Sequence, residues 1–280
     1  MKRKKEMIWT PQERPIEGFE DSAMYCILGT MLKSGKLCSD DSLLIVFGGE
    51  FDRAVTSSLG FKCVTLTNKA SAVGDSHFDA QDIPYSDGSY DHVLAHAGIH
   101  HSSRPHQSVC EMYRVARKSV MFFESQDSAI MRLAVKLKLT VDYEWYTIMD
   151  HNLERGGVDD LPIPNYVYRW TRREVEKLVR SLDPAHVPFL EFITKWDFNY
   201  ERVRRRLRYI VPRFLPSWLM AGICWVPVFL FNMALSRYGN VFFVRIEKRE
   251  IEQPWIKDGV FVPPSPVAVA AFNSAVGERT

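Results

Sequence analysis

Cysteine is scarce and unpatterned. Cys26, Cys38, Cys63, Cys110 and Cys224 are odd in number, scattered, and form no C-x-x-C pair. A disulfide scaffold and a zinc ribbon are not expected, and a reducing compartment is. An excess of one charge is also missing, since 36 Lys plus Arg face 34 Asp plus Glu and leave a net charge of +2. So even a balance gives no ground for a nucleic-acid partner, and none is expected. There are no internal repeats, and 15 Gly with 15 Pro in 280 residues exclude collagen-like and low-complexity chains. The basic start Met1-Lys-Arg-Lys-Lys-Glu has no apolar run behind it, so no secretory signal and a cytoplasmic location are expected.

What is present is ordinary globular material, 46% hydrophobic and 25% charged, enough for one large domain with insertions. Residues 1–40 read as an arm followed by a helix over 21–36, with Asp21 or Ser22 as N-cap. Leu43-Leu-Ile-Val-Phe is a short apolar run closed by Gly48-Gly49, which suits a strand buried on both faces. Arg53–Leu59 reads as a helix stopped by Gly60, and strands follow at 62–67, 90–95 and 119–124, with a helix over 105–116. This alternation predicts an α/β fold, a doubly wound, Rossmann-like sheet, with a core over 41–125. Residues 126–170 read as a cap insertion with a helix over 128–139. Residues 171–250 complete the sheet, with a helix whose capping box is Thr171 with Glu174 and strands at 187–198 and 240–246. Residues 251–280, rich in proline, read as an irregular tail.

In such a sheet ligands bind beyond the carboxyl ends of the strands. That rule selects Gly48–Asp52, Thr67–Asn68, Asp79–Pro84, Ala95–His101 and Glu124–Asp127. Across these places the chain reads Asp79-Ala-Gln-Asp-Ile-Pro-Tyr-Ser-Asp-Gly-Ser-Tyr-Asp-His-Val-Leu-Ala-His-Ala-Gly-Ile-His-His, then Glu111-Met-Tyr-Arg-Val. Over about 42–125 this resembles the class I S-adenosyl-L-methionine (SAM)-dependent methyltransferases of the small-molecule type, similar to methyltransferase type 11. The resemblance implies a seven-stranded sheet, SAM as cofactor, and methyl transfer as the activity. It places Gly48 and Gly49 in the loop against the methionine part of SAM, where a Cβ would obstruct the backbone's approach. It places Asp79 and Ala80 at the adenine edge, His96 beside the sulfonium, and His100 and His101 at the rim. Glu50 is a candidate for the cofactor's amino group, and Asn68 stands where the family usually has an acidic residue for the ribose. The usual G-x-G-x-G is reduced to Gly48-Gly49, behind Phe47.

Other readings of the same residues stay open. His92, His96, His100, His101 and His106 form a histidine-rich stretch, but no metal is expected, because no Cys or carboxylate completes a ligand set in the sequence. His92 alternates with core residues and reads as a packed histidine. Glu124 and Asp127 are candidate substrate contacts. His100 or His101 is the candidate base for an oxygen nucleophile. A catalytically decayed, membrane-associated binding protein is the alternative, motivated by Phe47 and Asn68. A nicotinamide enzyme is disfavoured, because G-x-G-x-x-G is missing.

The insertion at 200–238 is distinctive. Arg202, Arg204, Arg205, Arg206, Arg208 and Arg213 precede a stretch with no charge before Arg237. A single membrane crossing would separate two strands of one sheet, and two crossings need roughly 40 apolar residues. Pro216 and Pro227 also interrupt a straight helix. The remaining readings are short helices dipping into an anionic inner membrane surface through 202–237, or a lid over the site. Together with the cap, this predicts a small-molecule acceptor that is apolar or lipid- or polyprenyl-linked.

Overall fold

The computed structural model describes residues 19–69, 74–197, 226, 229–230, 232–263 and 265–277. The N-terminal arm, and nearly all of the basic and apolar run from 198 to 231, lie outside the described residues.

The central sheet is built by β1 (Ser42–Val46), β2 (Cys63–Thr67), β3 (Tyr90–His96) and β4 (Ala116–Ser125). Two later strands join it, Phe189–Lys195 and Val241–Glu247. Between β4 and these lie two-residue strands β5 (Tyr143–Glu144) and β6 (Asn165–Tyr166), so the later pair are β7 and β8. The order is β2-β1-β3-β4-β8-β7, parallel through β4 and antiparallel beyond it. β1 has β2 on one side and β3 on the other, so the chain reverses its winding there and opens a crevice at the carboxyl ends of β1 and β3.

Six strands, not the expected seven, make this sheet among the described residues. At the outer edge of β2 one residue meets the Leu66 backbone. Asp75 donates its backbone N–H to Leu66 O at 2.7 Å and accepts the Leu66 N–H on its carboxylate at 2.8 Å. Only a single parallel bridge, Thr67 with Ser76, continues the ladder.

The alternation of a strand divides the core into two layers. Leu44, Val46, Val93, Ala95, Val120 and Phe122 face the helices Pro105–Val115 and Arg172–Leu182. Leu43, Ile45, Leu66, Leu94, Met121 and Phe123 face the helices Ala23–Lys33 and Glu50–Ser58. Buried on both sides, β1 and β3 fix the level at which the loops after Val46 and His96 emerge. The Thr171 capping box forms, with Thr171 Oγ1 accepting from Glu174 N at 3.2 Å.

The cap comprises the helices Ala129–Lys136 and Tyr146–Asp150, the β5–β6 pair, and a turn at Val158–Asp160. It is anchored through Asp159. That carboxylate accepts from Gln81 Nε2 at 2.9 Å and from Ser103 N at 3.0 Å. The C-terminal segment departs from the irregular reading, since Ile256–Lys257 pairs with Val260–Phe261 and Pro266–Gly277 is helical. No helix among the described residues is long and apolar enough to cross a membrane.

β7 and β8 are neighbours with Lys195 opposite Val241, and the insertion leaves and returns at that end. Its stem is stitched twice. Asn232 accepts from Trp196 N at 2.8 Å and donates to Trp196 O at 3.0 Å. Asn240 does the same with Asp197, at 2.8 and 2.6 Å.

Candidate active site

The loops after β1 and β3 both begin with a non-glycine residue in the left-handed region, Phe47 at φ 57° and Ala97 at φ 50°. Each costs of order 1–3 kcal/mol. Gly48 N donates to Thr67 O at 2.9 Å and Ala97 N to Phe123 O at 2.8 Å, which holds the two turns in place. The Phe47 side chain lies on Gly98, where an added Cβ would come within 2.2 Å of Phe47 Cβ. At Gly49, by contrast, an added Cβ would meet only Asp52 Oδ2, at 3.9 Å, so that backbone faces open space.

Asp52, buried in the first turn of its helix, ties the two loops together. Its carboxylate accepts from Gly49 N at 2.8 Å and from His96 Nδ1 at 2.9 Å. His96 also stacks on Phe51, with ring centroids 5.3 Å apart. Asn68 donates to Gly48 O at 3.1 Å, and the neighbouring Thr67 Oγ1 is buried with no hydrogen-bond partner. Glu50 is exposed at the start of its helix. Asp79 accepts from Gln81 N and from Lys69 Nζ, both at 2.9 Å. Burial alone would raise its pKa; these donors outweigh burial and lower it. Ala80 is buried in the core layer beneath it. An open backbone at Gly49, an orphaned hydroxyl at Thr67 and an ionised Asp79 on one crevice fit a nucleoside-bearing cofactor with a ribose and an amino acid end.

Beside the crevice, the turn Ile99–His101 carries the histidine pair. His100 is buried, and its Nδ1 donates to Glu124 Oε2 at 2.7 Å, while Glu124 Oε1 accepts from Ile99 N at 2.8 Å. Glu124 is available there because it ends the inner part of β4, one strand from β3. From the cap, Glu144 brings Oε2 to 3.5 Å from His100 Nε2 and 3.7 Å from His101 Nε2. Glu144 is held by Tyr146, whose hydroxyl donates to Oε1 at 2.6 Å, and by Asn165 Nδ2 at 3.3 Å from Oε2. Burial would lower the His100 pKa, but the Glu124 and Glu144 carboxylates push it up to about 10. Burial would raise that of Glu144, but His100 brings it down to about 2. His101, partly buried, is pushed down by desolvation and then by the charge on His100, so it is neutral at pH 7.

The structure thus gathers Gly48, Gly49, Asn68 and His96 around one crevice and sets Asp79 and Ala80 on its flank. His100 and His101 sit beside it. The five-histidine stretch is dispersed. His92 is buried between Ser119 Oγ (2.8 Å) and Asp41 Oδ2 (3.0 Å), as a packed histidine. His106 pairs with Glu174 at 2.8 Å. Asp127 is spent on Arg132, at 2.5 and 2.8 Å. Sequence reasoning missed Glu144, and it reached Asp52 only as the end of the Gly48–Asp52 segment, without a role. Glu144 is the carboxylate whose absence had argued against a ligand set. A concavity of about 810 Å³ lined by Asp41, His92, Lys118 and Arg245 lies at the amino ends of the strands, away from this cluster.

Residues 56–123 match the family model described as a methyltransferase domain, roughly a quarter of the chain. No curated protein matches the sequence. Among solved structures the chain is similar to the YcgJ protein of Bacillus subtilis, with 14% identity and a TM-score of 0.46 over 80% of this chain and 98% of that one. It is also similar to a SAM-dependent methyltransferase of Archaeoglobus fulgidus (9%, TM-score 0.44, 82% and 98%). A third is the magnesium protoporphyrin IX methyltransferase of Synechocystis PCC 6803, solved with bound SAH (8%, TM-score 0.44, 81% and 82%).

Proposed function

With a SAM-dependent methyltransferase domain of class I as premise, we propose that this chain methylates an oxygen of a small, apolar or lipid-linked acceptor at the His100–His101–Glu124–Glu144 cluster. The observation that carries the proposal is the position of that cluster. It stands at the carboxyl ends of β3 and β4, against the crevice and under the cap. SAM, when bound, supplies a methyl group already activated on a sulfonium sulfur.

The chain's own residues then have three tasks. The open backbone at Gly49 admits the amino acid end, with Gly48 beneath it and Glu50 at the mouth. Thr67 and Asn68 face the ribose, Asp79 and Ala80 the adenine, and Asp52 holds His96 toward the methyl group. His101, neutral, accepts the acceptor's proton on Nε2. His100 is a cation clamped by Glu124 and Glu144, so it positions its neighbour and steadies the resulting oxyanion rather than acting as base. Alignment of nucleophile and methyl group supplies up to ~7–11 kcal/mol of the barrier in ideal cases.

The apolar acceptor is supported by the cap. Leu133, Leu137, Trp145 and Met149 are large, apolar and exposed, as are Phe229 and Leu230 at the end of the insertion. The helix Ala129–Lys136 lies against Ser236–Tyr238, with Ser128 Oγ donating to Tyr238 O at 3.0 Å, so cap and insertion form one neighbourhood. A cytoplasmic enzyme docked peripherally on an anionic inner membrane through 202–237 would meet its acceptor there.

Thermal unfolding with SAM and with its demethylated product tests the cofactor half. A ligand at ~100 times its Kd adds about 2.7 kcal/mol of stability. A shift with both is the expected result, and no shift at millimolar ligand refutes it. One observation favours a second reading, a binding protein of this fold without turnover. Phe47 sets its ring on Gly98 across the crevice. The same null result would select that reading.

A further inference from the structure

The distances within the cluster fall into two classes. His100 Nδ1 meets Glu124 at 2.7 Å, the length of a charge-assisted hydrogen bond. The Nε2 atoms of His100 and His101 stand off from one oxygen, Glu144 Oε2, at 3.5 and 3.7 Å. Both are too long for such bonds. They suit the edges of a tetrahedron instead. An ion with metal–ligand bonds of ~2.0–2.1 Å separates its ligand atoms by roughly 3.3–3.4 Å. All three ligand atoms lie within 4.8 Å of one another.

The surroundings are those of a ligand set. Metal-bound imidazoles donate their other nitrogen to a carboxylate or carbonyl, which fixes the tautomer. Glu124 does this for His100 through Nδ1, leaving Nε2 for the ion, and the Gly157 backbone lies beside His101. Tyr146 and Asn165 orient the carboxylate of Glu144. The donors come from two parts of the fold, the turn after β3 and strand β5 of the cap.

We propose that His100 Nε2, His101 Nε2 and Glu144 Oε2 bind a divalent transition-metal ion, zinc by the N₂O donor set, with Glu124 as the outer-shell partner of His100. Three protein ligands leave a position for water or for an oxygen-bearing acceptor. This deepens the proposed acceptor site and rests on it. With the ion in place the ion takes the place of the Nε2 proton of His100, and His101 is a ligand rather than a base. An acceptor hydroxyl bound to the ion then loses its proton to solvent water, because the cation stabilises the oxyanion. The preferred acceptor class is accordingly a phenol, enol or hydroxyquinone that can present an oxygen to the ion.

The test uses the untagged full chain. Elemental analysis after purification without chelator is expected to show about one zinc per chain, and the chelated protein titrated with Co²⁺ is expected to develop the visible absorption of a four- or five-coordinate site. Glu144→Gln and His101→Ala should each weaken Co²⁺ affinity at least 100-fold. Glu124→Gln should weaken it roughly 10–100-fold, the usual effect of an outer-shell change. Circular dichroism checks that each variant is folded, and Glu144→Gln keeps the size and the Tyr146 contact of the original. Absence of Co²⁺ absorption in the folded wild type, or its persistence in Glu144→Gln/His101→Ala, overturns the proposal. SAM-induced thermal shift is measured in parallel. A shift without metal binding removes the metal site and leaves the methyltransferase reading. Metal binding without a shift keeps the site and removes that reading.

Discussion

Replacing Gly98 by alanine probes the crevice directly. Gly98 has φ −128°, which any residue adopts, so the backbone itself does not require glycine. The requirement comes from Phe47, since an added methyl carbon would lie 2.2 Å from Phe47 Cβ and 2.5 Å from Cγ. Ordinary carbon contacts begin at about 3.5 Å, so one loop must move by roughly 1.3 Å or more. Cβ is fixed to its backbone, and the Phe47 backbone is already held at φ 57° by the strand before it and by the Gly48 N–H bond to Thr67. Gly98→Ala should therefore cost ~1–3 kcal/mol as overpacking. Phe47→Gly removes all three contacted atoms, Cβ, Cγ and Cδ2, and the positive-φ penalty together, so in that background Gly98→Ala should cost less than ~0.5 kcal/mol. Urea unfolding of the wild type, the two single variants and the double variant gives the coupling energy. Coupling of ~1–3 kcal/mol is expected, and costs that add within ~0.5 kcal/mol would refute the placement of Phe47 on Gly98.

Gly49→Arg should fold normally, because only Asp52 Oδ2 borders the space it enters, yet lose SAM binding in calorimetry; normal affinity would displace the loop from the cofactor. Thr67→Val removes a buried hydroxyl without a partner, so the free protein should be unchanged or up to ~1–2 kcal/mol more stable in urea while SAM affinity falls. Asp91 accepts from Ser42 N at 3.0 Å, from Arg117 at 2.6 Å and from Lys118 at 3.1 Å. Burial would raise its pKa, but these donors hold it well below the usual carboxylate range. Its stabilising effect is thus full above pH ~4 and is lost as pH falls further. Asp91→Asn should cost ~1–3 kcal/mol at pH 7, discounted for its exposed cationic partners, and should flatten the acid limb of stability measured from pH 7 to 3. Exchanging 202–237 for a short turn removes the Asn232 bonds to Trp196 and should abolish binding to anionic liposomes; unchanged liposome binding would move the docking surface elsewhere.

The sheet was legible because its strands are local signals. Leu43–Val46 and Val93–Ala95 are continuous apolar runs of strand length, and burial on both faces leaves such runs no other use. Thr171 and Glu174 announced a helix start by chemistry confined to four residues. That only six strands join the sheet among the described residues was not legible, because Asp75 meets the edge of β2 at Leu66 with one backbone and one side-chain bond. Nor was Glu144. It reaches His100 only because two-residue strands pair Tyr143 with Tyr166 and Glu144 with Asn165, and a pair so short leaves no periodicity in the sequence. The histidine pair could be seen, but not which member was buried, since that depends on Glu124 one strand away. The tail misled because its prolines precede a helix, at whose start Pro266 is well tolerated.

The twofold amide stitching at Trp196–Asn232 and Asp197–Asn240 also bears on how such a chain can change over time. Asn232 and Asn240 satisfy the backbone of both departing residues, and Gly239 lets Lys195 pass within a distance that no side chain would tolerate. The end of the insertion, from Asn232 on, thereby closes the stem on the sheet, and the stretch before it takes no part in these bonds. Any segment whose two ends can sit one strand spacing apart, roughly 5 Å, would close on the same stem. Lineages could therefore trade this stretch as a cassette, altering where the protein works and what it meets, while the machinery at the other loops is inherited unchanged.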